Sequence, residues 1–169
     1  MLNEQLYANA YNSSVAGFYF TSYEEYKTKS SKHFDPFGLP VEEYEIDHVD
    51  GDLNQLFNAC NIDQCTLSVW FNEIETMDKS DQTELYFRCD NLGQDPQEAI
   101  CDLNSDGSIS AGSSLYYAYS YIEDSGILNT LPENIQRYFD FEAFARDLEY
   151  SGDITEFSYD GETYTATGF

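Results

Sequence analysis

Oxygen-bearing side chains alternate in residues 102–110, DLNSDGSIS, at the spacing that a calcium-binding loop requires. Asp102 and Asp106 occupy the first and fifth positions of an EF-hand loop, and Gly107 occupies the sixth, where a sharp turn is needed. The twelfth position of such a loop supplies a bidentate carboxylate, but Ser113 stands there in this chain. We therefore interpret Asp102 and Asp106 as surface acids, and a calcium-binding module stays an alternative.

Residues suited to catalysis are sparse in this chain. It has two histidines, His33 and His48, and it contains no nucleophile elbow, glycine-rich phosphate loop or H-E-x-x-H zinc motif. Acidic residues are so abundant that any two could be taken as an acid and base pair, and seven Lys and Arg offer little cationic stabilisation. The sequence therefore predicts no catalytic residue, no metal site, no cofactor and no enzyme activity, and His48 is interpreted as a packed strand residue.

The cysteines and the opening residues indicate the cellular compartment in which the protein works. Cys60, Cys65, Cys89 and Cys101 lack the C-x-x-C spacing of metal ligands and predict reduced, mostly buried thiols of a cytoplasmic protein. The opening residues, MLNEQLYANAY, have neither the basic region nor the apolar run of a signal peptide. No segment approaches the length of a transmembrane helix, so we expect a cytoplasmic protein that does not bind membranes.

Net charge is the strongest signal in the composition, since 32 Asp and Glu against 7 Lys and Arg give a formal charge of -25. Hydrophobic residues make up 41% of the chain and aromatic residues 17%, which is enough apolar surface for a folded core. Three explanations compete: the acidic surface of a halophile, a calcium buffer, and a mimic of nucleic-acid phosphates. The net charge equals that on about 43 Å of duplex DNA, or roughly 12 to 13 base pairs. The same charge argues against binding nucleic acid itself or an anionic membrane.

Alternation and capping signals predict a mixed α/β unit in the first third of the chain. Its predicted elements are strands over 6–10 and 15–21, a helix capped at Ser22 and running to about residue 31, and a strand over 41–49. In the last strand, Glu43, Glu45 and Asp47 share one face, and same-face residues lie about 6.7 Å apart, close to two base-pair steps of DNA. An ordinary solvated strand face is the alternative for this stretch.

Helical spacing dominates the rest of the chain. Predicted helices cover 53–60, 67–74, a segment capped by Ser80 and ending near 91, and a segment starting at Asp95 and ending near 103. The Gly/Ser-rich segment 102–114 is predicted as a connection. Beyond it we predict helices over 114–124, 132–138 and 141–150, and then a hairpin of strands 154–159 and 162–167.

These elements predict an α+β fold, arranged as an elongated chain of three small domains. The first is a mixed α/β N-terminal unit over residues 1–52, and the second is a central helical domain over 53–104. The third, over 105–169, combines helices with the C-terminal β-hairpin.

Three segments of the chain carry motifs of a known protein family. Residues 138–165, YFDFEAFARDLEYSGDITEFSYDGETYT, contain a D-[YF]-E-A-[FY]-A-R-D-L run followed by a glycine, an acid and two closing strands, and this segment is similar to the C-terminal part of the ArdA family of antirestriction proteins. Residues 6–20, LYANAYNSSVAGFYF, resemble its opening strand and turn, and residues 41–51, VEEYEIDHVDG, resemble a further strand region. The family-motif positions within the C-terminal run are Asp140, Glu142, Arg146, Asp147 and Gly152, where a helix cap explains Asp140 and a local ion pair explains Arg146 equally well.

The resemblance implies a DNA mimic, encoded by a phage or mobile element, that forms a curved, elongated homodimer in the cytoplasm of its bacterial host. Its implied partner is the specificity and methyltransferase core of a type I restriction-modification enzyme, whose DNA groove it would occupy, blocking cleavage and often modification. The resemblance makes the carboxylates outside the apolar faces the functional residues, namely Glu43, Glu45, Asp47, Asp50, Asp52, Glu73, Glu75, Asp78, Asp81, Glu84, Glu98, Asp102, Asp106, Glu123, Asp124, Asp147 and Glu149.

Alternatives remain open at the level of sequence. The same mimicry could be directed at another DNA-binding defence complex, such as a BREX or CRISPR effector. Outside mimicry, the alternatives are the calcium-binding module and a halophilic, acid-surfaced enzyme, which only the composition supports.

Overall fold

The protein is described by a computed structural model that covers residues 4–169. Residues 1–3, the start of the segment examined for a signal peptide, lie outside the described part. The chain divides into two compact units, one running to Cys101 and the other spanning Asp102–Phe169. Both units combine helices with a small antiparallel sheet, which confirms the predicted α+β class. The division into three domains, with boundaries after residues 52 and 104, stays a prediction.

A three-stranded antiparallel sheet opens the first unit. Strand β1 lies between β2 and β3, and the bounds are β1 Gln5–Ala10, β2 Phe18–Phe20 and β3 Tyr44–Asp50. Leu6 of β1 pairs with Phe20 on one side and His48 on the other, and Leu6 and Phe20 are buried. The sheet therefore buries one face through the alternation that the sequence predicts.

Strand β2 is shorter than the predicted strand over 15–21. The amide of Val15 donates to the carbonyl of Asn12 at 3.0 Å, which closes a turn where the prediction placed the start of the strand. Pairing with β1 then covers only Phe18, Tyr19 and Phe20. The prediction was wrong here because turn hydrogen bonds hold residues whose apolar character alone indicated a strand.

Helix α1, Tyr23–Ser30, follows the predicted capping signal. The Ser22 hydroxyl accepts from the amide of Glu25 at 3.2 Å, and the Glu25 carboxylate accepts in turn from the amide of Thr21 at 2.9 Å. These reciprocal bonds satisfy two amides at the start of the helix. The helix packs against the sheet through the buried Tyr26, whose ring centroid lies 5.1 Å from that of Phe20 in β2.

Four helices complete the first unit: α2 Asn54–Ala59, α3 Leu67–Asn72, α4 Lys79–Asp90 and α5 Pro96–Asp102, with a 3-10 turn over Ile74–Thr76. Trp70 is fully buried, and its ring meets that of Phe57 edge-on at 5.1 Å between centroids. The predicted cap of α4 at Ser80 is wrong, because Ser80 lies inside the helix. Asp78 is the cap, since its backbone is extended and its carboxylate accepts from the amide of Asp81 at 3.0 Å.

Strand β3 lies at the edge of its sheet, and a glutamine side chain covers the start of that edge. The Gln64 amide oxygen accepts from the amide of Tyr44 at 2.9 Å, and its nitrogen donates to the carbonyl of Glu42 at 2.8 Å. Gln64 thus pairs with the edge as one residue of a neighbouring strand would.

The second unit contains a further three-stranded sheet that the sequence predicted only in part. Its order is β4-β6-β5, with β4 Ser108–Ala111, β5 Ile154–Tyr159 and β6 Glu162–Thr167. The predicted connection over 102–114 is wrong at β4, which pairs antiparallel with β6 from Ser108 opposite Thr167 to Ala111 opposite Tyr164. The strand is only four residues long, has Ile109 as its one large apolar residue and is flanked by Gly107 and Gly112, so its pairing depends on a partner more than fifty residues away.

Strands β5 and β6 form the predicted hairpin. Asp160 and Gly161 both have positive φ, 51° and 72°, which is the geometry of a type I′ turn. The turn matches the right-handed twist of the strands, and so it fixes the register from Ile154 opposite Thr167 to Tyr159 opposite Glu162.

Three α-helices pack in the second unit, α6 Ser114–Ser125, α7 Glu133–Gln136 and α8 Phe141–Ser151, with a 3-10 turn over Ile127–Thr130. Ring stacking of Tyr119 on Phe141, at 4.0 Å between centroids, joins α6 to α8. The predicted helix over 132–138 is shortened to α7, because the chain turns at 136–139 to place Asp140 in the extended conformation of an N-cap.

Candidate functional site

Exposed carboxylates on β3 are the first part of the candidate site. Glu45 and Asp47 are exposed, whereas Tyr44 and Ile46 between and before them are buried. Glu43 precedes the strand and is also exposed. The predicted alternation is therefore present, and it presents two carboxylates of one strand to solvent on the same face.

The chain leaves these acids without nearby positive charge in the sequence. Residues 33–78 contain eleven Asp and Glu but no Lys or Arg, and residues 89–136 contain eight Asp and Glu but no Lys or Arg. The 46 residues of the first run include β3 and the helices that follow it. Two long stretches of the chain therefore carry unbalanced negative charge.

Several of the basic residues form local ion pairs instead. Lys27 binds Glu24, and Lys29 binds Glu25 at 2.8 Å within the same helix. Arg88 binds Glu84 at 2.9 Å on α4. Lys27, Lys29 and Arg88 therefore each pair with an acid of their own helix.

The acids predicted to form the mimic surface differ in exposure. Most of them are exposed: Glu43, Glu45, Asp47, Asp50, Asp52, Glu73, Asp78, Glu98, Asp106, Glu123, Asp124, Asp147 and Glu149. Asp81 and Asp102 are half-buried. The other two, Glu75 and Glu84, have surroundings that set them apart.

Glu84 is largely enclosed, since only 14% of its side chain is exposed, and the Arg88 side chain that it binds is 2% exposed. Glu75 is half-buried, and burial together with the neighbouring charge of Glu4 raises the pKa of its carboxyl above the ordinary value of 4.5. These two carboxylates therefore offer less negative charge to solvent than the exposed set.

The family-motif positions of α8 have clear local functions at the two ends of the helix. The Asp140 carboxylate accepts from the amide of Ala143 at 2.9 Å and caps the first turn. Gly152 ends the helix with φ of 78°, a left-handed conformation that favours glycine. Arg146 is exposed, as are Glu142 and Asp147, and it makes no ion pair within residues 4–169, so the predicted local ion pair is not formed.

A buried carboxylate that sequence reasoning missed lies at Glu4. Its Oε2 is 2.5 Å from Nε2 of His48, and its carboxylate also accepts from the backbone amides of Asp52 and Leu53. His48 packs against the ring of Phe57, as its interpretation as a packed strand residue requires. The partners are more than forty residues apart in sequence, so no local pattern could reveal the pair.

The cysteines are free thiols, and they divide evenly between core and surface. Cys60 and Cys89 are buried with their sulfurs 3.8 Å apart, whereas Cys65 and Cys101 are exposed. The prediction of mostly buried thiols therefore holds for only half of them. The thiol of Cys89 and burial together raise the pKa of Cys60, which keeps that residue protonated.

The segment with calcium-loop spacing takes another structure. Ser113 is the N-cap of α6, and its hydroxyl accepts from the amide of Tyr116 at 3.3 Å. Asp102 ends α5, and Ser108 begins β4. Within residues 4–169, no three His, Cys, Asp or Glu side chains form a group that could hold a metal ion. None of the helices described is long and apolar enough to cross a membrane.

Exposed carboxylates on regular elements, without balancing cations nearby in sequence, define an acidic α+β protein suited to a positively charged partner. The chain belongs to the ArdA family, because the family model described as "Antirestriction protein (ArdA)" matches residues 3–162. No curated protein matches the chain. Membership of this family places the chain among antirestriction proteins. The family consists of inhibitors rather than enzymes.

Proposed function

We propose that this protein blocks restriction by imitating B-form DNA and occupying the DNA-binding groove of a type I restriction-modification enzyme. The observation that carries the proposal is the charge distribution: residues 33–78 and 89–136 contain nineteen acids and no Lys or Arg. A groove that holds DNA is lined with Lys and Arg, so it attracts such a surface.

Spacing supports the proposal on β3. Same-face residues of a strand repeat about every 6.7 Å, which is close to two base-pair steps along a duplex. Glu45 and Asp47 lie on the exposed face of that strand. Binding of these carboxylates releases the counterions that phosphates would release, so affinity falls as salt rises.

The fixed positions of several exposed acids also support the proposed DNA mimicry. Several exposed acids project from capped helices, namely Glu123 and Asp124 from α6, whose cap is Ser113, and Asp147 and Glu149 from α8, whose cap is Asp140. Carboxylates that are held in place before binding lose little conformational entropy when they dock. The protein can therefore compete with DNA without folding on its partner.

The proposal also specifies the partner, the oligomeric state and the cellular location of this activity. The partner is the specificity and methyltransferase core of the host enzyme, the protein acts as a homodimer in the bacterial cytoplasm, and occupation of the groove stops modification as well as cleavage. Another DNA-binding defence complex with a similar groove would be bound by the same mechanism.

Competition on a purified type I restriction-modification enzyme tests the proposal. Increasing amounts of the protein are added to enzyme with fluorescent target DNA, and DNA binding, cleavage and methylation are measured at several salt concentrations. We expect stoichiometric loss of all three, displacement of DNA, and weaker inhibition at higher salt. A ternary complex of enzyme, DNA and this protein, or inhibition that salt does not weaken, would contradict mimicry.

A further inference from the structure

A pocket of about 480 Å³ opens on the surface of the second unit beside α6. Its lining consists of three tyrosines, three serines and one carboxylate: Tyr116, Tyr117, Tyr121, Ser110, Ser120, Ser125 and Asp124. The volume lies within the range of roughly 300 to 1,000 Å³ that is usual for ligand pockets. This tyrosine pocket therefore has the size and the mixed lining of a binding site.

Helical spacing places two of the rings and the carboxylate on one side of α6. Tyr117, Tyr121 and Asp124 follow one another at i, i+4 and i+7, and the two rings stack with their centroids 6.2 Å apart. The ring of Tyr121 also lies beside that of Phe144 in α8, at 6.1 Å between centroids. The tyrosine faces are therefore held by neighbouring rings before a ligand binds.

The backbone at Gly112 makes room for the third ring. Gly112 has φ of 117°, and a Cβ atom there would lie only 2.7 Å from Cδ1 of Tyr116, so glycine alone permits this approach. Ser110 belongs to β4, and its hydroxyl donates to the carbonyl of Thr165 at 3.3 Å. The pocket is thus formed by regular elements, α6 and β4, of one folded unit.

The charge of the pocket is negative. Asp124 is exposed and makes no ion pair in the part of the chain that the structure describes, and none of the lining residues is Lys or Arg. Residues 102–169 contain thirteen Asp and Glu against two basic residues, Arg137 and Arg146. An anion is repelled here, and an apolar group would cover Asp124 without giving it a partner, so the pocket is complementary to a cation.

Tyrosine faces beside a carboxylate favour a guanidinium over an ammonium group. A guanidinium is planar, stacks on aromatic faces, donates two parallel N–H bonds to a carboxylate and is less strongly hydrated than an ammonium. One such contact exists within this unit, where the guanidinium of Arg137 lies over the ring of Tyr138 at 5.6 Å. Arginine side chains also line grooves that hold DNA.

We propose that the tyrosine pocket binds the guanidinium of an arginine side chain from the DNA-binding groove of the restriction enzyme, with Asp124 accepting its N–H groups. The source of this arginine rests on the proposed function. A DNA phosphate attracts an arginine by charge but offers it no aromatic face. The pocket therefore adds a stacking contact that the imitated phosphates do not supply.

An arginine derivative tests the pocket without the enzyme. N-acetyl-arginine amide is titrated into the protein while NMR follows the ring signals of its tyrosines, and N-acetyl-lysine amide and the uncharged N-acetyl-citrulline amide serve as matched probes. We expect saturable shifts of Tyr116, Tyr117 and Tyr121 with the arginine amide, binding of the lysine amide that is about fivefold weaker or more, and no saturable binding of the citrulline amide. Equal binding of the arginine and lysine amides would overturn the inference.

Matched variants assign the binding to the pocket. Tyr121→Ala and Asp124→Asn should each weaken binding of the arginine amide about 3- to 30-fold, whereas Tyr121→Phe keeps the ring and should stay within about twofold of wild type. Tyr150→Ala and Glu133→Gln remove an exposed tyrosine and an exposed acid that do not line the pocket, and they should bind as wild type does. Equal losses in these control variants would contradict binding at the pocket.

Binding to the purified methyltransferase core of a type I restriction-modification enzyme separates the inference from the proposed function. Tyr121→Ala should bind about 3- to 30-fold more weakly at every salt concentration, with an unchanged slope of log Kd against log salt because no charge is removed. Wild-type affinity in this variant would overturn the inference and leave the proposed function intact. Wild-type protein that binds the arginine amide but not the enzyme would overturn the proposed function, and with it the restriction enzyme as the source of the arginine.

Discussion

Glu4 and His48 form a buried hydrogen bond, 2.5 Å from Oε2 to Nε2, with side chains only 4% and 3% exposed. The bond ties the start of β1 to the middle of β3, and Glu4 also binds the backbone amides that lead into α2. The Glu4 carboxylate of this strongly acidic chain is therefore buried, and it joins segments of the first unit. Its role is structural and separate from that of the surface acids.

Replacement of this carboxylate should destabilise the protein. Glu4→Ala leaves His48 and two backbone amides without their acceptor, so we expect the free energy of unfolding to fall by about 2 to 4 kcal/mol. Urea denaturation measures the change. Glu4→Gln retains an acceptor and should cost less, and a Glu4→Ala variant as stable as wild type would show that water replaces the carboxylate.

Two neighbouring residues of α4 give a matched pair of capping variants. Asp78→Ala removes the N-cap and should lower the free energy of unfolding by about 1 kcal/mol. Ser80→Ala changes an exposed position within the helix and should alter stability by less than about 0.5 kcal/mol. A larger loss in Ser80→Ala than in Asp78→Ala, measured by thermal unfolding, would place the cap at Ser80, as the sequence predicted.

Stability should depend on pH through Glu75. Burial and the charge of Glu4 raise its pKa in the folded protein, so the ionised form is disfavoured there. The resulting penalty is absent below the ordinary pKa of 4.5, grows as pH rises through that value, and is complete above the raised pKa. Glu75→Gln should therefore raise the melting temperature at neutral pH and lose this advantage below pH 4.5. An advantage that persists in acid would point to a cause other than charge.

Carboxylates of β3 should act as a group in binding. Glu45→Gln or Asp47→Asn alone should change the affinity for a type I enzyme by less than about twofold. Combining them with Glu43→Gln and Asp50→Asn should weaken binding strongly and lower the salt slope by up to about 0.9 for each phosphate-like charge removed. The difference from wild type should vanish at high salt. An unchanged slope in the combined variant would exclude this strand from the binding surface.

Local signals explain which parts of the fold could be predicted. Asp140, Gly152 and the Asp160-Gly161 turn act through bonds within a few residues, and each lies where the sequence placed it. Strand β4 was missed because it is only four residues long, lies between two glycines and is held by the distant strand β6. Because this pairing joins residues more than fifty positions apart, the local sequence could not predict the strand.

For the candidate site, the sequence could predict the exposure of some acids but not of others. Alternation in 41–49 was enough to predict that Glu45 and Asp47 would be exposed. Composition could not separate these from Glu84, which is enclosed with Arg88, or from Glu75, whose pKa the fold raises. A residue's type gives its charge, but the surroundings set by distant segments decide how much of that charge reaches solvent.

The amide of Gln64 has a consequence for how the protein behaves at high concentration. An open strand edge is a template on which another chain can add a strand, and such growth leads to aggregation. Gln64 occupies the free backbone groups at Glu42 and Tyr44, and the next exposed residues along the edge, Glu45 and Asp47, repel an identical strand. One side-chain amide and two carboxylates therefore oppose the addition of a further strand at the β3 edge of the N-terminal sheet.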